Sequence, residues 1–155
     1  MQTPLPDPMP RAVLFACGLN SLRSPMAAGL FAHFLGPDVH VGSAGVRKGE
    51  LDPFAVAVLR EVEIDIAEHR PATFDELEEW DELDFDLIVT LSPEAHHKAL
   101  ELARSRQVEV EYWPMPDPTA VEGSREQRLD AYRDLRQQLV QRIKARFISR
   151  AGGSE

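Results

Sequence analysis

A lone cysteine, Cys17, ends the apolar run RAVLFAC (11–17), and Arg23 follows six positions later, with Ser24 and Pro25 directly behind it. Ser-Pro is an N-cap and first-turn signature, so residues 18–23 read as a loop between a strand and the start of a helix. Such a loop presents several backbone N–H groups in one direction. With the positive end of the helix dipole behind them, they make an anion site. The same field favours a thiolate at the loop's start, and the planar fork of Arg23 matches two oxygens of a tetrahedral oxyanion. A cysteine closing a strand is ordinarily a small apolar filler, and an arginine at a helix start a solvated charge. The full order of strand, Cys, five residues, Arg, Ser, Pro and helix points instead to a nucleophile lying beneath its own anion cradle.

Alternating segments elsewhere must position that loop. Residues 11–17 and 85–91 (FDLIVTL) are short apolar runs of the kind buried on both faces of a sheet. VHVGSAG (39–45) reads as a strand ending in a glycine turn, and VEVEYWPM (108–115) as a fourth strand. Helical spacing of apolar residues predicts helices over 24–35, 52–62 and 92–104, and from Ser124 to about Arg150. Phe54, Val58, Leu59 and Val62 share one face of the second, and FDELEEWDEL (74–83) reads as a short acidic helix. Strand–helix alternation predicts an α/β fold, a single four-stranded parallel sheet with helices on both faces. Right-handed crossovers then bring the loops after the strands to one edge, where ligands bind. Cys17, Ser43, Ser92 and Asp117 are expected to approach that edge. MQTPLPDPMP (1–10) reads as an extended proline-rich arm, 11–150 as the domain and 151–155 as a frayed tail.

Bulk properties narrow the function. The 155 residues fit one core, and a net charge of −9 argues against nucleic acid as partner. It does not exclude an anionic substrate, because a local field can oppose the global sign. One cysteine allows no internal disulfide. The arm has neither the basic start nor the apolar stretch of a signal peptide, and no run is long enough to span a bilayer, so the expected setting is the cytoplasm, with no membrane partner. No metal-ligand cluster or cofactor motif stands out, so neither group is expected. His96 and His97 are adjacent on a predicted helix and read as surface residues. Trp113, in a strand, reads as core.

At these residues the chain resembles the low-molecular-weight protein tyrosine phosphatases, a family that includes phosphatase-like arsenate reductases. The family motif, Cys-x-Gly-Asn-x-Cys-Arg-Ser/Thr, stands here as Cys17-Gly18-Leu19-Asn20-Ser21-Leu22-Arg23-Ser24. SAG (43–45), HRP (69–71), FDLIVTL (85–91), Asp117-Pro118 and the final helix follow in the family's order. The resemblance implies a flavodoxin-like three-layer fold and phosphomonoester hydrolysis through a phosphocysteine. It casts Cys17 as nucleophile and Asp117 as the acid and later the base. Arg23 and the amides of Gly18, Leu19, Asn20, Ser21 and Leu22, with Ser24, would hold the anion. It further implies a left-handed Asn20, with Ser24, Ser43 and His69 fixing the loop by hydrogen bonds. Asp52-Pro53, a competing Asp-Pro pair, reads as a helix start.

Several residues depart from the family pattern. Leu19 stands where the family has glycine, and leucine would be strained there if that position required positive φ. Leu22 replaces a second loop cysteine. Thr119 and Ala120 follow Asp117-Pro118 where phosphotyrosine-specific members carry aromatics, and VRKGELDP (46–53) lacks the usual wall aromatic; Trp80 or Trp113 is left to compensate. The substrate the resemblance implies is protein phosphotyrosine or a related aryl phosphate, and the expected partner is a phosphorylated protein or a small phosphate or arsenate anion. An alternative is arsenate reduction with an external small thiol, because Ser92 stands where relay-type reductases carry a further cysteine. A third reading is a non-catalytic oxyanion-binding module. The sequence leaves the oligomeric state open.

Overall fold

The computed structural model describes residues 9–148, so the proline-rich arm (1–10) falls outside it except for Met9 and Pro10, as does the tail (151–155). Four strands, β1 (Ala12–Cys17), β2 (His40–Gly45), β3 (Leu87–Thr90) and β4 (Glu109–Tyr112), form one parallel sheet in the order β2-β1-β3-β4. β1 is buried along its whole length, which is why its sequence is continuously apolar rather than alternating. Its side chains still alternate in direction. Val13, Phe15 and Cys17 face α1 (Arg23–Leu35), α2 (Pro53–Arg60) and α5 (Arg125–Ile143), whereas Leu14 and Ala16 face α3 (Phe74–Glu79) and α4 (Pro93–Ala103). The protein is thus a single three-layer α/β domain, as the alternating pattern predicts. Among the described residues no helix is long and apolar enough to cross a membrane.

The larger differences from the sequence expectations lie at element ends. The second helix stops at Arg60 rather than residue 62, because the chain turns through Glu63 at φ 66°; Val62 is left 41% exposed instead of facing the core. The acidic helix stops at Glu79, ahead of Asp81 at φ 59°. The last helix leaves α geometry at Ile143 and continues as a π-helical turn, Lys144–Ile148. Trp113 is core, as expected. His96 is not a free surface residue: its Nδ1 lies 2.9 Å from Thr90 Oγ1, and its ring stacks on Tyr112 at 4.5 Å.

Phe15 is fully buried and packs edge-on against Phe31 and Trp113, with centroids 5.7 and 5.9 Å away. Two positions before Cys17, it joins β1 to α1 and to the residue that follows β4. Phe15→Ala leaves a ring-sized void and is expected to cost about 3–5 kcal/mol of unfolding free energy, measured by urea denaturation.

Candidate active site

The loop from Gly18 to Leu22 takes its shape from what its carbonyls meet. Those of Cys17, Gly18, Leu19 and Ser21 accept hydrogen bonds from the amides of Val46, Arg47, Gly49 and Asp52, at 3.3, 2.9, 2.9 and 2.9 Å. A planar trans peptide points its N–H opposite to its C=O. The amides of Gly18, Leu19, Asn20 and Leu22 therefore turn away from the segment 46–52 that holds those carbonyls. Gly45 makes the close fit possible. A Cβ there would run into Arg47 O and come within 2.8 Å of the Asn20 nitrogen.

Asn20 pins the loop from inside. It is fully buried and adopts φ 54°, so the positive φ falls on asparagine and not on Leu19, which is 41% exposed and unstrained. Its Oδ1 accepts from Ala72 N at 2.9 Å and from His69 Nε2 at 3.1 Å. Its Nδ2 donates to Ser24 Oγ at 2.8 Å and Ser43 Oγ at 2.9 Å. Every donor and acceptor of the amide is matched, and the Ala72 N–H fixes which end is oxygen. Ser24 Oγ, already an acceptor from Asn20, has its hydrogen free for Cys17 Sγ, 2.9 Å away. The helix consequently starts at Arg23 with Leu22 as N-cap and no side-chain cap, unlike the expected Ser24 cap. That leaves the first amides of α1 open to an anion. Asn20 and Ser24 do not line the cleft with their side chains; both are buried beneath it. Ser43 lies within β2 rather than beyond its end.

Above the loop is a cleft of ≈ 810 Å³ with Cys17, Arg23, Ser92 and Asp117 in its lining. Cys17 is 2% exposed and forms part of its floor. Arg23 is held by one bond, Nη1 to Met115 O at 3.1 Å, with its other N–H groups uncommitted to that carbonyl. Asp117 begins a 3-10 turn (Pro118–Ala120) and accepts from Thr119 N at 3.0 Å and Thr119 Oγ1 at 2.6 Å. Burial alone would raise its pKa, but the two Thr119 bonds and the Arg23 charge outweigh that and hold it below the ordinary carboxylate value. Ser92 caps α4 through the Ala95 amide at 3.3 Å. Among the described residues no group of acidic, histidine or cysteine side chains is placed to hold a metal.

Sequence reasoning missed part of the wall. Aromatic rings do line the cleft: they are Phe54 from α2 and Tyr132 from α5, while Trp113 is core and Trp80 lies elsewhere, 51% exposed. Asp52 is the helix start expected of it, capping Phe54 N at 2.8 Å, but its second oxygen accepts the Tyr132 hydroxyl at 2.6 Å. Since its amide also holds Ser21 O, Asp52 ties the loop to α2 and α5 together. Arg47 and Glu94 close another side of the cleft with a two-pronged ion pair, at 3.1 and 2.7 Å. The Asp-Pro signal announced a cap. Nothing local announced a tyrosine partner 80 residues away.

His69 ties the site to pH. Burial pushes its pKa below the ordinary 6.5, and the Asn20 bond only partly opposes this. Its Nε2 must carry hydrogen to reach the acceptor Oδ1, and above the ordinary value the ring is neutral. The unfolded chain therefore binds a proton that the folded one resists. The contribution of His69 to stability is complete above the unfolded value and is lost as pH falls through the lower folded value. Urea midpoints measured downward from pH 7 are expected to fall in this window, with a shallower slope in His69→Gln.

Residues 12–149 match the family described as low molecular weight phosphotyrosine protein phosphatase. An arsenate reductase of Halalkalibacterium halodurans is 34% identical over 136 residues, spanning 86% of this chain and 93% of its own. An arsenate reductase structure from Archaeoglobus fulgidus shares 28% identity at a TM-score of 0.66, over 86% of this chain and 96% of that one. The arginine phosphatase YwlE, in a cysteine-to-serine variant with a phosphorylated active-site serine, shares 26% identity at a TM-score of 0.69, over 93% and 97%. With nearly the whole domain matched, this chain belongs to the low-molecular-weight phosphotyrosine protein phosphatase family of enzymes.

Proposed function

We propose that the protein is a cysteine-dependent phosphatase acting on phosphorylated protein in the cytoplasm, with Cys17 as nucleophile, Arg23 and the loop amides as anion cradle, and Asp117 as general acid and base. The observation that carries this reading is that a thiol, a guanidinium and a carboxylate line one cleft, beside a loop whose amides turn away from the segment that holds its carbonyls. The Cys17 sulfur attacks phosphorus in line with the leaving oxygen. Arg23 and the amides of residues 18–23 hold the equatorial oxygens as charge redistributes. Ser24 donates to the sulfur when it is a thiolate. Asp117 protonates the leaving oxygen, then takes a proton from the water that attacks the phosphocysteine, releasing phosphate and restoring the thiolate. The Thr119 bonds and the Arg23 charge hold the Asp117 carboxyl low. A bound phosphate dianion neutralises the field of Arg23 and adds negative charge, and both effects raise the carboxyl toward a useful acid.

The names of the relatives support a second reading, arsenate reduction. Arsenate fits the same cradle, and the Cys17 thiolate would bond to arsenic as one As–O bond breaks, that oxygen leaving as water once protonated by Asp117. An external thiol would then attack the Cys17 sulfur, the S–As pair leaving on arsenic as arsenite, and a second thiol would reduce the mixed disulfide. An internal relay is ruled out within these residues by the single cysteine.

Aryl-phosphate turnover tests the first reading. Cys17→Ser is expected to abolish it, and Asp117→Asn to lower kcat by about 10²–10⁴-fold for a poor leaving group. Absence of turnover by the intact protein, with arsenate reduced only when thiol is added, would transfer the assignment to the reductase.

A further inference from the structure

We propose that Phe54, Arg125 and Arg128 form a second anion-binding ledge beside the cleft, and that the favoured substrates are phosphopeptides with carboxylates next to the phosphorylated residue. This deepens the phosphatase reading and rests on it. The guanidinium carbons of Arg125 and Arg128 stand 5.3 and 4.9 Å from the centroid of the Phe54 ring. The ring itself is fixed, edge-on to Tyr132 at 5.4 Å and behind the cap that Asp52 places on α2. A guanidinium stacked on a ring keeps its N–H edge for other partners. Of the nearby acids, Asp52 is engaged by Tyr132 and Glu126 by Arg133. Among the described residues neither Arg125 nor Arg128 is paired with a carboxylate.

Both arginines sit in the first turns of α5, at the positive end of its dipole, where cations are disfavoured. A local electrostatic conflict of this kind is where function is expected to override stability. The surrounding chain, at net −9, would otherwise repel an acidic substrate. Phe54 and Arg128 line the same cleft as Cys17 and Arg23, and ≈ 810 Å³ is far more than one oxyanion fills. A phosphate seated over Cys17 therefore leaves room for the rest of its carrier to run past the ledge. On that side an aromatic group meets a ring already covered by guanidinium, whereas a carboxylate meets free N–H groups.

Two phosphopeptides of one sequence, with Glu or with Gln flanking the phosphorylated residue, test the ledge. At low salt the Glu peptide is expected to show about five- to tenfold higher kcat/KM, a preference that shrinks as salt is raised. In Arg125→Gln/Arg128→Gln the ratio is expected to fall to about twofold or less. Because the ratio is taken within each protein, damage common to both peptides cancels. Equal values in the unaltered protein, or a preference that survives the double substitution, would overturn the ledge. If neither peptide nor an aryl phosphate is hydrolysed, the phosphatase reading fails instead. The ledge is then judged by fluorescence anisotropy of the same peptides on Cys17→Ser, where equal affinities overturn it and the same preference upholds it.

Discussion

A buried side-chain amide holds the site together. Asn20 is closed off from solvent, and its four hydrogen-bonding positions are all matched, by Ser24, by Ser43 and by His69 and Ala72 of one segment. An unmatched polar group at such depth costs about 1–3 kcal/mol, so the amide has one arrangement and the loop follows it. Ala72 sets the amide's orientation, the amide sets which way the Ser24 hydroxyl points, and that hydroxyl faces the sulfur of Cys17. A chain of hydrogen bonds beginning at a backbone N–H thus reaches the proposed nucleophile without a charged group in it, His69 included.

The rest of the fold supplies rigid attachment points for that amide and for the loop's carbonyls. β1 delivers Cys17 from the middle of the sheet, with packed helices on both faces. β2 carries Ser43 alongside, in register so that Gly45 lies opposite Cys17 and lets the loop close against it. The segment after β2 holds four loop carbonyls, and Asp52 at its end is braced by Tyr132 from the last helix. An anion cradle needs its donors in place before the anion arrives, and a loop tied at this many points changes little on binding.

What could be read in advance divides along physical lines. The strand of 11–17, the helix behind Ser24-Pro25 and the sheet were legible because each rests on local pattern: a continuous apolar run, helical spacing of apolar residues, alternation of elements. The start of that helix was not, because Ser24 is drawn to Asn20 and Cys17 instead of capping it. The spacing of Cys17 and Arg23 was legible because the loop that separates them is short. The ends of the second and third helices were not, since they depend on Glu63 and Asp81 entering left-handed backbone, for which neither residue is a strong signal. Phe54 reads as a core position by its helical spacing, and only the approach of α5 makes it a wall of the cleft. Leu19 replaces the family glycine without a left-handed backbone, because the positive φ lies one residue on, at asparagine, which tolerates it.

Catalysis at Cys17 requires the loop amides and Arg23 to converge on the space above its sulfur. A crystal structure grown with orthovanadate addresses that directly, since vanadate takes up the five-coordinate geometry of in-line displacement. The expected result is vanadium bonded to Cys17 Sγ, its equatorial oxygens on the amides of residues 18–23 and on Arg23, and its far apical oxygen within hydrogen-bonding reach of Asp117. Vanadate bound elsewhere, or seated in the cleft with no bond to the sulfur and no loop amide turned to it, would contradict the account.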